Sequence, residues 1–115
     1  MEFPQSIPHF SDDREVETFF RTMLGLEYID DVHLHREWAR GKKPSARHVR
    51  EALEYLLRER PATSTQWARL TEVSFWEDDR LYGYLQKLYD YFYGDRADPP
   101  VPPDPEEIPP EKYWH

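Results

Sequence analysis

Cysteine is absent from the 115 residues, which excludes disulfides, thiolate metal centres and cysteine nucleophiles. Glycine is scarce. The four glycines, at 25, 41, 83 and 94, are too few and too scattered for a phosphate-cradling loop. No stretch approaches the roughly 18 apolar residues of a membrane-spanning helix. Bases are outnumbered, 15 against 23 acids, and the net charge of −8 disfavours unspecific attraction to nucleic acid or an anionic membrane. The opening MEFPQSIPHF has neither a basic start nor an apolar stretch, so no secretory signal is expected and a cytoplasmic location is. What the chain does have is aromatic side chains, with 4 Trp, 8 Tyr and 6 Phe, too many for a wholly disordered polymer. Its length suits one domain.

The charge is unevenly spread. Residues 1–40 hold nine acids against four bases, residues 41–70 three against seven, and residues 71–98 seven against three. A basic middle lies between acidic ends.

Helical signals run along most of the chain. Asp12 followed by Glu15 reads as a capping-box start, and Val16, Phe19, Phe20, Met23 and Leu24 repeat with the period of one buried helix face. Gly25 is a natural stop. Residues 28–40 carry two patterns, an alternation of Val32, Leu34, Arg36 and Trp38 that suits a strand, and Asp30 or Asp31 as a helix cap. Helix is favoured because no second strand offers itself for pairing. A helix from Ser45 places Val49, Ala52, Leu53, Leu56 and Leu57 on one face and stops at Pro61. Thr63 with Gln66 marks another start, and Trp67 and Leu70 begin its apolar face. A last helix opens on Glu77, Asp78 and Asp79, acids suited to the helix dipole, and ends at Gly94.

From Ala97 the composition changes. Seven of the eleven prolines fall between Pro99 and Pro110, which predicts an extended, polyproline-type tail. Arg96, Pro99 and Pro102 match the basic-x-x-P-x-x-P form that SH3 domains recognise, but the match is short and common in proline-rich sequence, and a spacer or a strap packed on the domain is the favoured reading of the segment. Ile108, Tyr113 and Trp114 are apolar enough to anchor such a strap.

The last helix is the most informative segment. At about 100° per residue, Gln86, Lys87 and Asp90 form a polar face around Gly83. Leu81, Leu85, Leu88 and Phe92 lie opposite, flanked by Tyr82, Tyr89 and Tyr93 on one side and by Tyr84 and Tyr91 on the other. The apolar and aromatic arc spans about 200°, twice the stripe of an ordinary surface helix. Three readings follow: the helix is central in a bundle, one tyrosine flank binds a protein, or the proline-rich tail folds back over it. The first is the plainest; the second has the support that tyrosine and tryptophan anchor interfaces with few torsions to freeze.

Residues 63–85 place Ala68 in one helix and Val73 and Ser74 in a turn before the next. This arrangement resembles the helix-turn-helix of DNA-binding regulators. The resemblance implies a recognition helix opening at Glu77, whose first three residues are acids that DNA phosphates would repel. A phosphate contact would fall instead on the basic segment, with Arg40, Lys42, Lys43, Arg47 and Arg50 as the candidate residues.

Enzymatic chemistry is not evident. The serines lack a nucleophile-elbow context, and the paired acids read as caps and turns. His33 and His35 share a face only in a strand, and His9, His48 and His115 show no partner in sequence, so neither metal nor cofactor is expected. The expected architecture is an all-α bundle of four to five helices over residues 9–95, with an N-terminal extension at 1–8, a helix-turn-helix-like segment and a tail at 96–115. Its expected core is Val16, Phe19, Phe20, Met23, Val49, Leu53, Leu56, Leu57, Trp67, Leu70, Leu81, Leu85, Leu88 and Phe92. The expected function is non-enzymatic protein binding, as in a small adaptor, inhibitor or immunity-type protein. Trp76, Tyr82, Tyr89, Tyr93, Tyr113 and Trp114 would carry it, and acidic residues would steer a basic partner. Self-association is compatible with it. The alternative is a nucleic-acid-binding regulator acting through residues 36–50.

Overall fold

The computed structural model describes residues 3–107. Five α-helices build it: α1 (Arg14–Thr18), α2 (Arg36–Ala39), α3 (Pro44–Glu59), α4 (Ser64–Thr71) and α5 (Asp78–Tyr93). No strand is present among the described residues. None of these helices is long and apolar enough to cross a membrane.

The chain enters α1 one residue later than the sequence predicts. Asp13, not Asp12, is the cap, and its carboxylate accepts from the Glu15 amide at 3.0 Å. The Asp13 amide already donates to the His9 carbonyl, which sets the entry direction of the chain. Helix α1 continues into one π-helical turn (Phe19–Met23) that buries Phe19 and Phe20. Gly25 ends it by close approach: a Cβ there would sit 2.5 Å from the Arg21 carbonyl oxygen.

Residues 28–40 are helical, but in two pieces. Ile29–His35 is 3₁₀ with a kink at Asp31, and α2 follows directly. Ile29 and Val32, on either side of the kink, are both buried. The 3₁₀ piece and its kink explain why neither the strand period nor an α period fits the segment cleanly.

Helix α3 begins with Pro44 in its first turn and ends where Arg60 takes a left-handed backbone (φ 47) before Pro61. Proline disfavours α geometry in the residue ahead of it, so the stop falls there. The capping box of α4 forms as expected: the Gln66 amide donates to Thr63 Oγ1 at 3.1 Å, and the Thr63 amide to Gln66 Oε1 at 2.9 Å. Between α4 and α5, Glu72 is left-handed (φ 65) and residues 72–77 form the connection.

One core serves the whole domain. Of the expected core residues, Met23 and Leu57 are only partly buried and the rest are buried. The core also takes Ile7, Phe10, Leu24, Ile29, Val32, Phe75, Tyr82, Tyr84 and Tyr91. Ile7 lies in the stretch expected as an extension, yet it is 2% exposed and packs with the core. Beyond α5 the described residues hold neither helix nor strand. Pro100 is buried, and Pro102 and Pro103 line a cleft with Phe75, Gly83 and Tyr84. Arg80 and Glu107 close this stretch at 3.1 Å. Over residues 99–107 the chain therefore runs back beside the Tyr84 side of α5. Ile108, Tyr113, Trp114 and His115 lie outside the described residues.

Candidate functional site

The tyrosine flank of α5 is divided by the fold. Tyr82 is core: it is 2% exposed, its hydroxyl donates to the Ala62 carbonyl at 2.6 Å, and it accepts from the Ala62 amide at 3.0 Å. Burial pushes its hydroxyl pKa up, against the opposing pull of the bond from Ala62. Tyr82 is thus removed from any exposed surface, because the α3–α4 linker covers it. Tyr89 and Tyr93 are half-buried, with ring centroids 4.9 Å apart. Tyr89 donates to Glu54 Oε2 at 2.5 Å, and the Arg50 guanidinium lies 4.8 Å over Tyr93 and 5.9 Å over Tyr89. Trp76 is half-buried, with a left-handed backbone (φ 68), and lines a cavity of about 130 Å³ with Leu26, Ile29 and Pro102–Pro105. Tyr113 and Trp114 are not among the described residues.

The basic segment is also split. Arg40, exposed on the surface, reaches across and caps the C-terminus of α5. Its Nε donates to the Phe92 carbonyl, and its Nη2 donates to Gly94 at 3.1 Å and Tyr91 at 3.4 Å. A cation at a helix C-terminus satisfies orphan carbonyls and complements the dipole. Arg36 donates to the Arg96 carbonyl at 3.2 Å and lies 4.5 Å over the Tyr91 ring. Arg50 stacks on the tyrosines and pairs with Glu54 at 3.3 Å. Lys42, Lys43 and Arg47 remain exposed. Arg40→Ala is expected to cost about 1–2 kcal/mol of stability, read as a lower urea midpoint, from the lost charged cap.

The acids at the start of α5 work within the fold. Asp78 Oδ1 accepts the Ser64 amide at 2.7 Å, tying α5 to the N-terminus of α4, and Asp79 pairs with Arg60 at 3.3 Å.

A groove that sequence reading missed lies between α1 and α2. Thr18, Phe19, Met23, His35 and Trp38 line about 410 Å³, with Arg14 and Glu15 at the rim. Trp38 stacks on Phe19 with centroids 6.4 Å apart and planes inclined by 20°. The π-helical turn supplies Phe19 and Met23, His35 comes from the end of the 3₁₀ segment, and Trp38 from α2. Burial holds the His35 imidazole below its ordinary pKa, against the pull of Asp31. The one sequence signal was Trp38, an aromatic among polar neighbours; Leu34 four residues before it does not line the groove. Leu34 is 67% exposed.

A second cluster joins the loop before α1 to α3. His9 and His48 stack with centroids 3.7 Å apart and planes inclined by 11°. His9 Nε2 meets Glu51 Oε2 at 2.5 Å, and His48 Nδ1 meets Asp13 Oδ2 at 2.7 Å. Ser45 Oγ donates to the same Asp13 carboxylate at 3.0 Å. Desolvation raises the Asp13 pKa, but the bonds from His48, Ser45 and the Glu15 amide together outweigh it and hold the carboxyl below its ordinary value. Neither histidine had a partner visible in sequence, because the partners lie 35 and 42 residues away.

Compared with protein-family models, curated proteins and solved structures, the chain matches none.

Proposed function

We propose that this chain is a non-enzymatic protein-binding module whose partner inserts an apolar side chain, flanked by basic residues, into the groove between α1 and α2. The groove carries this reading. Its floor of Phe19, Met23 and Trp38 is apolar and open, and concave apolar surface of this kind hosts the anchors of protein complexes. The basic character of the partner rests on charge sign alone: the chain carries −8 overall, and the groove's lining falls in the stretch of residues 1–40 with nine acids against four bases. Complementary charge would speed the encounter and orient it, while apolar burial would supply the affinity. Tyr89 and Tyr93, with Arg50 over them, form a second half-buried aromatic surface of the residue types that interfaces favour.

The test is selection from a peptide library followed by calorimetry on the winners. Peptides with one large apolar residue between lysines or arginines are expected to be enriched. Trp38→Ala is expected to weaken them at least about tenfold, the loss typical of an anchor pocket. Circular dichroism and thermal melting would show that the variant stays folded. Enrichment without that pattern, or affinity untouched in folded Trp38→Ala, would discard the groove.

A nucleic-acid-binding regulator with a helix-turn-helix-like segment is the second reading. It draws on Lys42, Lys43 and Arg47, which stand exposed around the start of α3. Anisotropy of labelled duplex and single-stranded DNA separates the two readings. Binding that falls steeply with salt and is lost when these three are changed to glutamine would promote it.

A further inference from the structure

We propose that His9, His48 and Glu51 form a binding site for one divalent transition-metal ion of the zinc class. Each offers a ligand atom, and these atoms lie within 4.8 Å of one another. The donor set of two imidazoles and a carboxylate suits zinc, cobalt or nickel better than calcium or magnesium, which take oxygen ligands. His48 and Glu51 are three apart on α3, so they project from one face of the helix. All three side chains have access to water, so an ion has a route in.

The surroundings resemble those of a metal ligand more than those of an ordinary surface histidine. The Nδ1 of His48 is engaged by Asp13, which orients the ring and leaves Nε2 as the donor. Asp13 is itself fixed by Ser45 Oγ at 3.0 Å and by the Glu15 amide at 3.0 Å. A carboxylate behind a histidine, anchored in turn, is the outer support that metal-binding histidines commonly have. On the other ring, Asp12 Oδ1 stands 3.9 Å from His9 Nδ1. His9 is also held with a left-handed backbone (φ 66), a conformation that costs energy for a non-glycine residue and that clusters at functional sites.

Stacked rings direct their in-plane lone pairs side by side. The 4.8 Å spread is also wider than the roughly 3.4 Å between neighbouring ligands of a tetrahedral ion with bonds of about 2.1 Å. Loading therefore turns His9, on the loop before α1, out of the stack. The ion takes the place of the hydrogen bond between His9 Nε2 and Glu51 Oε2, and any proton it displaces passes to solvent. Three protein ligands leave a fourth position for water, as in an open site.

The experiment is titration of the full chain with Co²⁺, followed by visible absorption, and with Zn²⁺, followed by calorimetry. One equivalent is expected to bind. His9→Asn preserves the backbone, because asparagine tolerates the left-handed region. It is expected to abolish that equivalent, while Glu51→Gln weakens it by more than about tenfold and Asp13→Asn by about 10–100-fold. A His33→Ala variant, at an exposed histidine outside both the cluster and the groove, serves as the control and is expected to bind like the parent. Circular dichroism checks that each variant is folded. Should Asp13→Asn fail that check, His9→Asn and Glu51→Gln decide alone. The proposal is overturned if the parent takes up no ion, if His9→Asn binds as the parent does, or if uptake is lost in the control instead. Because the cluster and the groove share no residue, failure of either leaves the other standing.

Discussion

Trp67→Ala is expected to lower the unfolding free energy by about 3–5 kcal/mol, the range for truncating a buried tryptophan. Trp67 is 1% exposed, and its ring meets Phe20 edge-on at 6.0 Å and Phe3 at 6.0 Å. It is the largest buried side chain of α4, a helix of eight residues. A helix that short does not persist by itself in water, so its packing has to hold it. The capping box at Thr63 satisfies amides at one end and cannot replace that packing. Domains of this size have about 5–15 kcal/mol in total, so the variant stands close to unfolding at ambient temperature. Guanidinium unfolding would check it, with a fall in midpoint at an unchanged slope. A loss under about 1 kcal/mol would contradict the placement of Trp67 in the core.

Tyr82→Phe is expected to cost about 2–3 kcal/mol, although it removes a single oxygen atom. The hydroxyl serves both the amide and the carbonyl of Ala62, and Ala62 is itself buried. Without it, a donor and an acceptor in the α3–α4 linker lose their partner away from water. Tyr89→Phe is the matched comparison. Tyr89 is half-buried and bonds to Glu54, which water can also reach, so that change is expected to cost under about 1 kcal/mol. Urea denaturation of both variants distinguishes a structural tyrosine from a surface one. Equal losses would mean that Tyr82 and Tyr89 are alike, contrary to the fold.

Much of the helical layout was written locally. The Thr63–Gln66 capping box, the apolar period of α3, the stop before Pro61 and the stop at Gly94 each depend on residues within about one helical turn. The wide apolar arc of α5 was legible in the same way, since its side chains are spaced by helix geometry alone. What covers that arc was not. Tyr82 is taken by the α3–α4 linker, and residues 99–107 run beside Tyr84, while Tyr89 and Tyr93 lie under Arg50.

The candidate sites were less legible than the helices, for one physical reason. Arg40 looked like part of a phosphate patch until its reach to carbonyls 51 to 54 residues away made it a helix cap. His9 and His48 looked isolated because their spacing in the chain carries no period, and only the folding of the first loop against α3 stacks their rings. The groove arises from a π-helical turn facing a kinked 3₁₀ segment, two departures from regular geometry with no strong local signal. Residue order alone determined the all-helical class, most helix ends and about half of the buried core, because capping and periodicity act over a few residues. Tertiary structure decided which tyrosines and arginines are free to meet a partner and which histidines meet each other, because those outcomes depend on contacts between segments that no local pattern encodes.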